Sequence, residues 1–544
     1  MSRRQKQAVE KSQDHVVKNF TYAAATLAAL AILCSLWALT REWDKPLLDL
    51  HSFRQTQTAI STYYMVGNPG ILLNYETPIL GKPWAIPLEV PFYQWVVARL
   101  HEASSMGLDQ SGKFVSIIFL FACIGPIWIL FRTLRIPLAP RWLTIAVFLS
   151  MPLHLYWGRS FLIETMGLFL SLSMVSCTFT GYRSKNWRWL AAGLVFGILA
   201  ALCKITTWAV ACGVTGLLVL FSDGLPRRKD LSWLILTGAV AILPIVPGKL
   251  WLAYGDDVKA ANPFAREIIT ASSDKQSIWT FGSWEQKTSP AVWERIGNHM
   301  GDQLATPVPF FGHWFVPLLL IAGALANTKR LPLLLIFLVG FAAGPLIFTN
   351  LYFEHNYYWV ANGTWLVLAL GVALASISEF RPKQVWPQYT ATALSAVLCI
   401  AGLAAWHSKF LPVLQNLPDR EKLTEAWIGP IQKLVPTERS LLILGNDWNP
   451  NALYYAERKG IGYPSVAGVP FPSPLFEESL TKFTKEDQLG TVVISEQILA
   501  GQDKPLLMAQ LERLGMSLKG MRTGFGVAFP ALDLDMLASG VSNP

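Results

Sequence analysis

The chain has 544 residues, 52% of them hydrophobic and 15% charged, with 22 tryptophans and a mean hydropathy of +0.36. This composition excludes both an ordinary water-soluble globular protein and a disordered one. The formal net charge of +9 is dispersed among short loops, as membrane topology demands, and forms no nucleic-acid footprint.

Apolar runs of about 18 to 22 residues recur until about residue 406. Hydrocarbon admits only segments that satisfy their own backbone, so these runs read as helices. About eleven spans are expected, over 21–40, 113–131, 142–157, 162–180, 189–203, 206–221, 231–251, 307–325, 331–349, 358–377 and 390–406. The first reads as an uncleaved anchor, since no small-residue cleavage site precedes Arg41. Basic residues then fix the orientation. Arg3, Arg4, Lys6, Lys11 and Lys18 precede the first span, and Arg132, Arg135, Arg141, Arg183, Lys185, Arg188, Arg227, Arg228, Lys229, Lys329, Arg330, Arg381 and Lys383 all fall in loops on that same side. The positive-inside rule makes it cytoplasmic. An odd span count puts the tail outside, in the periplasm of a diderm bacterium. All six cysteines lie in or at the ends of spans, which argues against an external disulfide framework.

The expected organisation is a transmembrane domain over 1–406 and an outer soluble domain over 407–544. Two long outer segments, about 41–112 and about 252–306, interrupt the spans, and the chemically unusual residues gather in them or at outer span ends.

LDLHSFRQTQTAIS follows the first span, carrying Asp49, His51 and Arg54. Ser52 and Gln55 have capping-box spacing, and the apolar positions that follow predict an amphipathic helix lying in the membrane interface. A helix start attracts anions, and the guanidinium of Arg54 adds donors suited to phosphate. In the next element, two prolines bracket Glu89 before a helical run from about Val90 to Ala103. Either the prolines fix a working carboxylate in one orientation, or Glu89 simply favours a helix N-terminus.

Three cations break the topological rule. Arg159 lies in YWGRSFLIETMG, Lys204 ends the fifth span and Lys249 stands near the outer end of the seventh. A cation there costs a few kcal/mol on insertion scales, which an anionic partner would offset. Structural readings compete: Glu164 as the ion-pair partner of Arg159, and Lys204 snorkelling to outer headgroups. The last cluster is NLYFEHNYYWVANG, with His355, Tyr357 and Tyr358. Tyr352, Tyr357, Tyr358 and Trp359 suit an interfacial aromatic belt as well as sugar recognition. No spacing assigns a metal, although His51, His355 and the carboxylates leave a divalent cation open.

The order of these features resembles the GT-C class of integral-membrane glycosyltransferases, which includes protein O-mannosyltransferases and the lipid A aminoarabinose transferase. DLHSFRQTQTA, LEVP, GRSFLIE, LCKITT, FGSW and HNYY resemble its bacterial, family 39-like branch, over about residues 20 to 375. Two positions depart: Leu48-Asp49 stands where the mannosyltransferases have an Asp-Glu pair, and Ile163 where many relatives have proline. The resemblance implies a polyprenyl-phosphate sugar donor, an acceptor hydroxyl on a glycan, lipid or protein, and an inverting transfer at the outer face of the cytoplasmic membrane. By the same resemblance Asp49 is the general base, Arg54, Arg159 and Lys204 bind donor phosphate, and His51, Glu89, Glu164, His355, Tyr357 and Tyr358 hold sugar or acceptor. The loop around 254–306, with Gly282 in TFGSW, is a lid candidate.

In the tail, SLLILG and TVVIS read as buried strands separated by helical stretches, predicting a small α/β layer with a mainly parallel sheet. The NDWNP turn, 446–450, is either a ligand edge or a turn satisfied by Asn446 and Asp447. Acceptor binding or docking is the role expected here. The rival reading for the whole chain is a transporter or flippase, against which stand the lack of duplicated halves and the collection of charge at outer ends.

Overall fold

The computed structural model describes residues 3–530 apart from 71, 223, 225–229, 305–311, 382–383, 446, 466, 470–472, 484–488, 495–520 and 524–525. Arg227, Arg228, Lys229, Lys383, Asn446 and the start of the span expected over 307–325 therefore lie outside the described residues, as does KPLLMAQLERLG (504–515), a further stretch of helical pattern after TVVIS.

Among the described residues, seven helices are long and apolar enough to cross a membrane: Val17–Leu39, Leu108–Thr133, Trp187–Phe221, Leu231–Lys259, Thr328–Ile347, Asn356–Ser378 and Trp386–Gln415. Leu138–Ser150 and Phe315–Ala326 are shorter apolar helices. The Glu164–Ser184 helix has 21 residues, enough for about 31 Å at 1.5 Å per residue. It is rich in serine and threonine and buried almost throughout, so nothing requires it to present an apolar face to lipid.

Contacts divide the chain into two compact units, each discontinuous in sequence. The first comprises Met1–Arg41, Lys113–Lys249 and Ile278–Gln415. Its centre is the helix Trp359–Ser378, every residue of which is buried. Small side chains permit that packing: a Cβ on Gly371 would come within 2.3 Å of Thr144 Oγ1, and one on Gly323 within 2.4 Å of Ala373 Cβ.

Trp187–Phe221 is helical except at Lys204, whose φ of −155° and ψ of 90° split it into two helices. Those halves fold back on each other. A straight helix would separate residues 197 and 212 by about 22 Å along its axis. Yet the backbone at Gly197 approaches Pro244, a built Cβ lying 2.8 Å from its ring, and Cys212 Sγ meets the carbonyl of Ala241 at 3.3 Å. Residues 241 and 244 are within one helical turn of each other, so the chain reverses at Lys204.

The second unit comprises Glu42–Gly112, Leu250–Ser277 and Asn416–Pro544. It holds a five-stranded sheet of β1 Ser440–Leu444, β2 Gly460–Gly462, β3 Leu489–Ile494, β4 Met521–Thr523 and β5 Gly526–Pro530, in the order β2-β1-β3-β5-β4. β1 runs parallel to both β2 and β3, whereas β5 is antiparallel to β3 and β4. The sheet is thus mixed rather than mainly parallel, because the last two strands form a hairpin whose short connection cannot reach a parallel register. The β2 edge is covered from far away in sequence. Gly81 N donates to Gly460 O at 3.0 Å, Gly460 N to Pro78 O at 3.1 Å and Gly462 N to Ile79 O at 2.7 Å, which removes an exposed edge. The tail therefore shares its compact unit with residues 42–112 and 250–277.

The same unit contains a buried anchor. Asp109, 1% exposed, accepts from the hydroxyls of Tyr454 at 2.5 Å and Tyr455 at 3.3 Å and pairs with Arg420 at 3.2 Å. Burial, then the Asp109 carboxylate, hold both tyrosine hydroxyls well above their ordinary pKa. Asp109→Ala is expected to cost about 1–3 kcal/mol by leaving two buried hydroxyls without an acceptor. The melting temperature of the detergent-solubilised chain should fall clearly below that of Asp109→Asn, which keeps an acceptor.

Candidate functional site

Within the first unit the structure gathers five of the residues nominated from sequence. Glu164 opens its helix, and one oxygen of its carboxylate pairs with the Lys204 ammonium, both side chains being buried. Lys204 Nζ also lies over the ring of Tyr358, 4.1 Å from its centroid, and 5.5 Å from that of Tyr357. His355 stacks on Tyr357, centroids 5.2 Å apart and planes 19° apart, and on Tyr358 at 6.1 Å and 23°. The result is an ammonium held by one carboxylate and a slab of stacked rings, a combination of ion pairing and cation–π attraction.

Local sequence explains why these side chains meet. The reversal falls at the non-helical Lys204 itself. Gly167 lies one turn into the neighbouring helix and lets the lysine approach, since a Cβ there would sit 3.1 Å from Lys204 Cβ. Asn356–Tyr358 form a short 3-10 turn at the head of the central helix, which brings two successive tyrosines to one side.

Several expectations change here. Lys204 does not snorkel: its ammonium is turned inward because a buried carboxylate and two ring faces are close by. Glu164 pairs with Lys204 rather than with Arg159. Arg159 is 3% exposed, in the turn before the Glu164–Ser184 helix, and its Nη1 donates to the carbonyl of Arg41, just past the end of the first helix. Lys249 is exposed and does not join this cluster. Tyr352, Tyr357 and Trp359 are 3%, 4% and 1% exposed, so packing inside the protein replaces the belt reading for them.

The TFGSW segment forms a wall of the same cluster. Gly282 has φ +77°, and a Cβ on it would lie 3.2 Å from Thr349 Cβ and 3.3 Å from Asn350 N. Ser283 and Gln286 form a capping box for the helix Trp284–Thr288. Gln286 Nε2 donates to Asn350 Oδ1 at 2.8 Å and Asn350 Nδ2 to Trp279 O at 2.9 Å. Trp279 and His355 meet in a T-shaped arrangement, centroids 5.9 Å and planes 66° apart. Sequence reasoning missed Trp279, Gln286 and Asn350, and only the glycine in TFGSW hinted at a close approach.

In the second unit, residues 48–61 form a different arrangement from the one expected. The helix runs Ser52–Tyr63 with His51 as its N-cap in the left-handed region, φ 54° and ψ 38°. There is no capping box. Gln55 Nε2 donates to the Asp49 carboxylate and to Leu50 O, while Ser52 Oγ accepts from Asn451 Nδ2 at 3.0 Å. Gln55 to Thr62 are all buried and their hydroxyls are satisfied internally, as in Thr56 with Asn451 at 2.7 Å, so this stretch packs within the protein. Asp49 is thus oriented by a side chain one turn into the helix.

Glu89 lies three residues ahead of a helix starting at Phe92. Its Oε2 pairs with Arg54 Nη2 at 2.8 Å and its Oε1 accepts from Gln94 Nε2 at 2.9 Å. Arg54 also donates to Gln57. At residues 447–450, Trp448 packs against Phe53 in a T-shaped arrangement with centroids 4.9 Å apart, and Asn449 Oδ1 accepts from Asn451 N. Among the described residues no three His, Cys, Asp or Glu side chains group as metal ligands.

No family model matches the chain, and no curated protein does. Its fold is similar to that of ArnT from Cupriavidus metallidurans bound to undecaprenyl phosphate, with a TM-score of 0.60 at 12% identity over 95% of this chain and 99% of that one. It is also similar to the archaeal oligosaccharyltransferase AglB from Archaeoglobus fulgidus in complex with an inhibitory peptide and a dolichol-phosphate, with a TM-score of 0.50 at 12% identity over 88% of this chain and 70% of that one. At these identities the likeness is one of fold.

Gly282→Ala is expected to loosen the 278–288 segment by about 1 kcal/mol or more, since alanine in the left-handed region is strained and a methyl group would crowd Thr349 and Asn350. Limited proteolysis in detergent should then cut this segment faster than in the unaltered chain, and Asn350→Ala should raise the rate as well.

Proposed function

We propose that the chain is an inverting glycosyltransferase that moves a sugar from a polyprenyl-phosphate donor to an acceptor hydroxyl at the outer face of the bacterial cytoplasmic membrane. The observation that carries this reading is a buried lysine ammonium, framed by stacked aromatic rings, in a chain whose fold is shared with ArnT bound to undecaprenyl phosphate. AglB in complex with a dolichol-phosphate supports the same donor class. In this reading the chain crosses the membrane about eleven times, with its N-terminus cytoplasmic and residues 407–544 periplasmic, where the tail docks the acceptor.

The chemistry follows from the leaving group. Asp49 takes the proton from the acceptor hydroxyl as its oxygen attacks the anomeric carbon, and the bond from that carbon to the phosphate oxygen breaks on the opposite face. The phosphate changes from a singly to a doubly charged anion. A phosphate departs without being protonated, so the second carboxylate of an ordinary glycosidase is not required. What helps instead is positive charge where the anion grows, because only interactions stronger in the transition state accelerate the step. Lys204, Arg159 and Arg54 supply it. His51, Glu89, Glu164, His355, Tyr357 and Tyr358 hold sugar or acceptor, ring faces and hydroxyls suiting a sugar's mixed surface, and the 254–306 segment covers the bound substrates.

Asp49→Asn is expected to lower transfer from a polyprenyl-phosphate sugar by about 10²–10⁴-fold, the usual worth of a general base, with an unchanged melting temperature. Undiminished turnover in that variant would remove the base assignment. Comparing cell-envelope glycans by mass spectrometry, with and without the gene, identifies the acceptor, and an unchanged envelope would count against the whole reading.

A further inference from the structure

Glu164 is buried at 2% exposure, and only one of its two oxygens is used. Oε2 is buried without a hydrogen-bond partner among the described residues. A carboxylate kept only for structure normally has both oxygens satisfied, because each unmet acceptor in a buried charged group is costly. Lys204, by contrast, is held independently of Glu164, since the rings of Tyr357 and Tyr358 attract its ammonium from another side. The lysine can therefore keep its position while its anionic partner changes.

An ammonium is a compact point charge with rotatable donors, and it accepts a carboxylate or a phosphate oxygen alike. We propose that Glu164 is a placeholder: it neutralises Lys204 in the resting protein and is displaced when the phosphate of the lipid-linked donor arrives. The inference rests on the donor reading of Lys204 given above. Displacement is an exchange of one anion for another, so the buried ammonium never stands uncompensated, and Glu164 returns when the polyprenyl phosphate leaves. Competition from Glu164 weakens phosphate binding in proportion and keeps the dianionic product from being held too tightly.

The test uses the full chain in phosphatidylcholine nanodiscs, titrated separately with undecaprenyl phosphate, inorganic phosphate and phosphatidylglycerol. Glu164→Gln should bind undecaprenyl phosphate about tenfold more tightly than the unaltered chain, the size of coupling expected between touching groups. Lys204→Met should bind it more weakly, and the double variant should match Lys204→Met, because a competitor for an absent lysine has no effect. Glu164→Gln should also melt at a lower temperature without lipid and gain more from saturating undecaprenyl phosphate. Should that variant not fold, Glu164→Asp, one methylene shorter, carries the same expectation in direction.

Weaker or unchanged binding in Glu164→Gln, with weaker binding in Lys204→Met, overturns the placeholder and makes Glu164 a positioning residue for the lysine. Unchanged binding in Lys204→Met overturns the donor role of Lys204, and the placeholder with it. Equal binding of phosphatidylglycerol or inorganic phosphate would overturn the lipid-donor assignment in favour of a general headgroup or free-phosphate site.

Discussion

A charged group removed from water must find a partner or lose its charge, and the first unit is organised around that constraint at Lys204. Desolvating a single ion costs several kcal/mol even after relaxation. The lysine meets it with a carboxylate on one side and aromatic faces on another. Everything local is arranged to permit this. The chain reverses at a single non-helical residue, Gly167 makes room, and a short 3-10 turn delivers two tyrosines in succession. A break in a helix at such a residue also leaves backbone groups unpaired by helix bonds. Such breaks are tolerated where the freed groups line a site.

The same logic recurs in the second unit with different chemistry. Arg54 comes with Glu89, whose other oxygen is taken by Gln94. Back in the first unit, Arg159 rests on a backbone carbonyl past the end of the first helix. Each candidate phosphate ligand is thus already engaged with an acceptor in the protein. The difference lies in completeness. Glu89 has both carboxylate oxygens occupied, whereas Glu164 keeps one oxygen unmatched among the described residues. A fully matched carboxylate has little to gain by moving. A half-matched one is the more exchangeable partner, and for that reason the two glutamates, alike in sequence character, have different prospects.

What could be read from the sequence was whatever depends on bulk composition or on residues placed against the grain. A mean hydropathy of +0.36 and recurrent apolar runs sufficed for a helical membrane protein. Lys204, a cation at the end of an apolar run, stood out because insertion energetics are local, and the structure buries it against Glu164. Partner choice was not legible. Ser52 and Gln55 have the spacing of a capping box, yet Ser52 bonds Asn451, some 400 residues on, and Gln55 turns back to Asp49. Spacing along a helix states which groups are near each other, but it is silent about a competitor from elsewhere in the chain. The tail failed for a related reason. Its strands were visible as β-branched runs, while the protection of the β2 edge by residues 78–81 is a long-range pairing with no local signature.

That a 12% identical chain keeps a shared fold over nearly its whole length also has a physical basis. Residues facing lipid need only be apolar, so leucine, isoleucine, valine and phenylalanine exchange there at small cost. Constraint concentrates where backbones approach closely, as at Gly371 against Thr144 or Gly323 against Ala373, and where charge is buried. These positions are few and widely spaced. A comparison of sequences averages them away among hundreds of interchangeable apolar residues, whereas a comparison of shapes records their consequence directly, since each fixes how near two helices can lie.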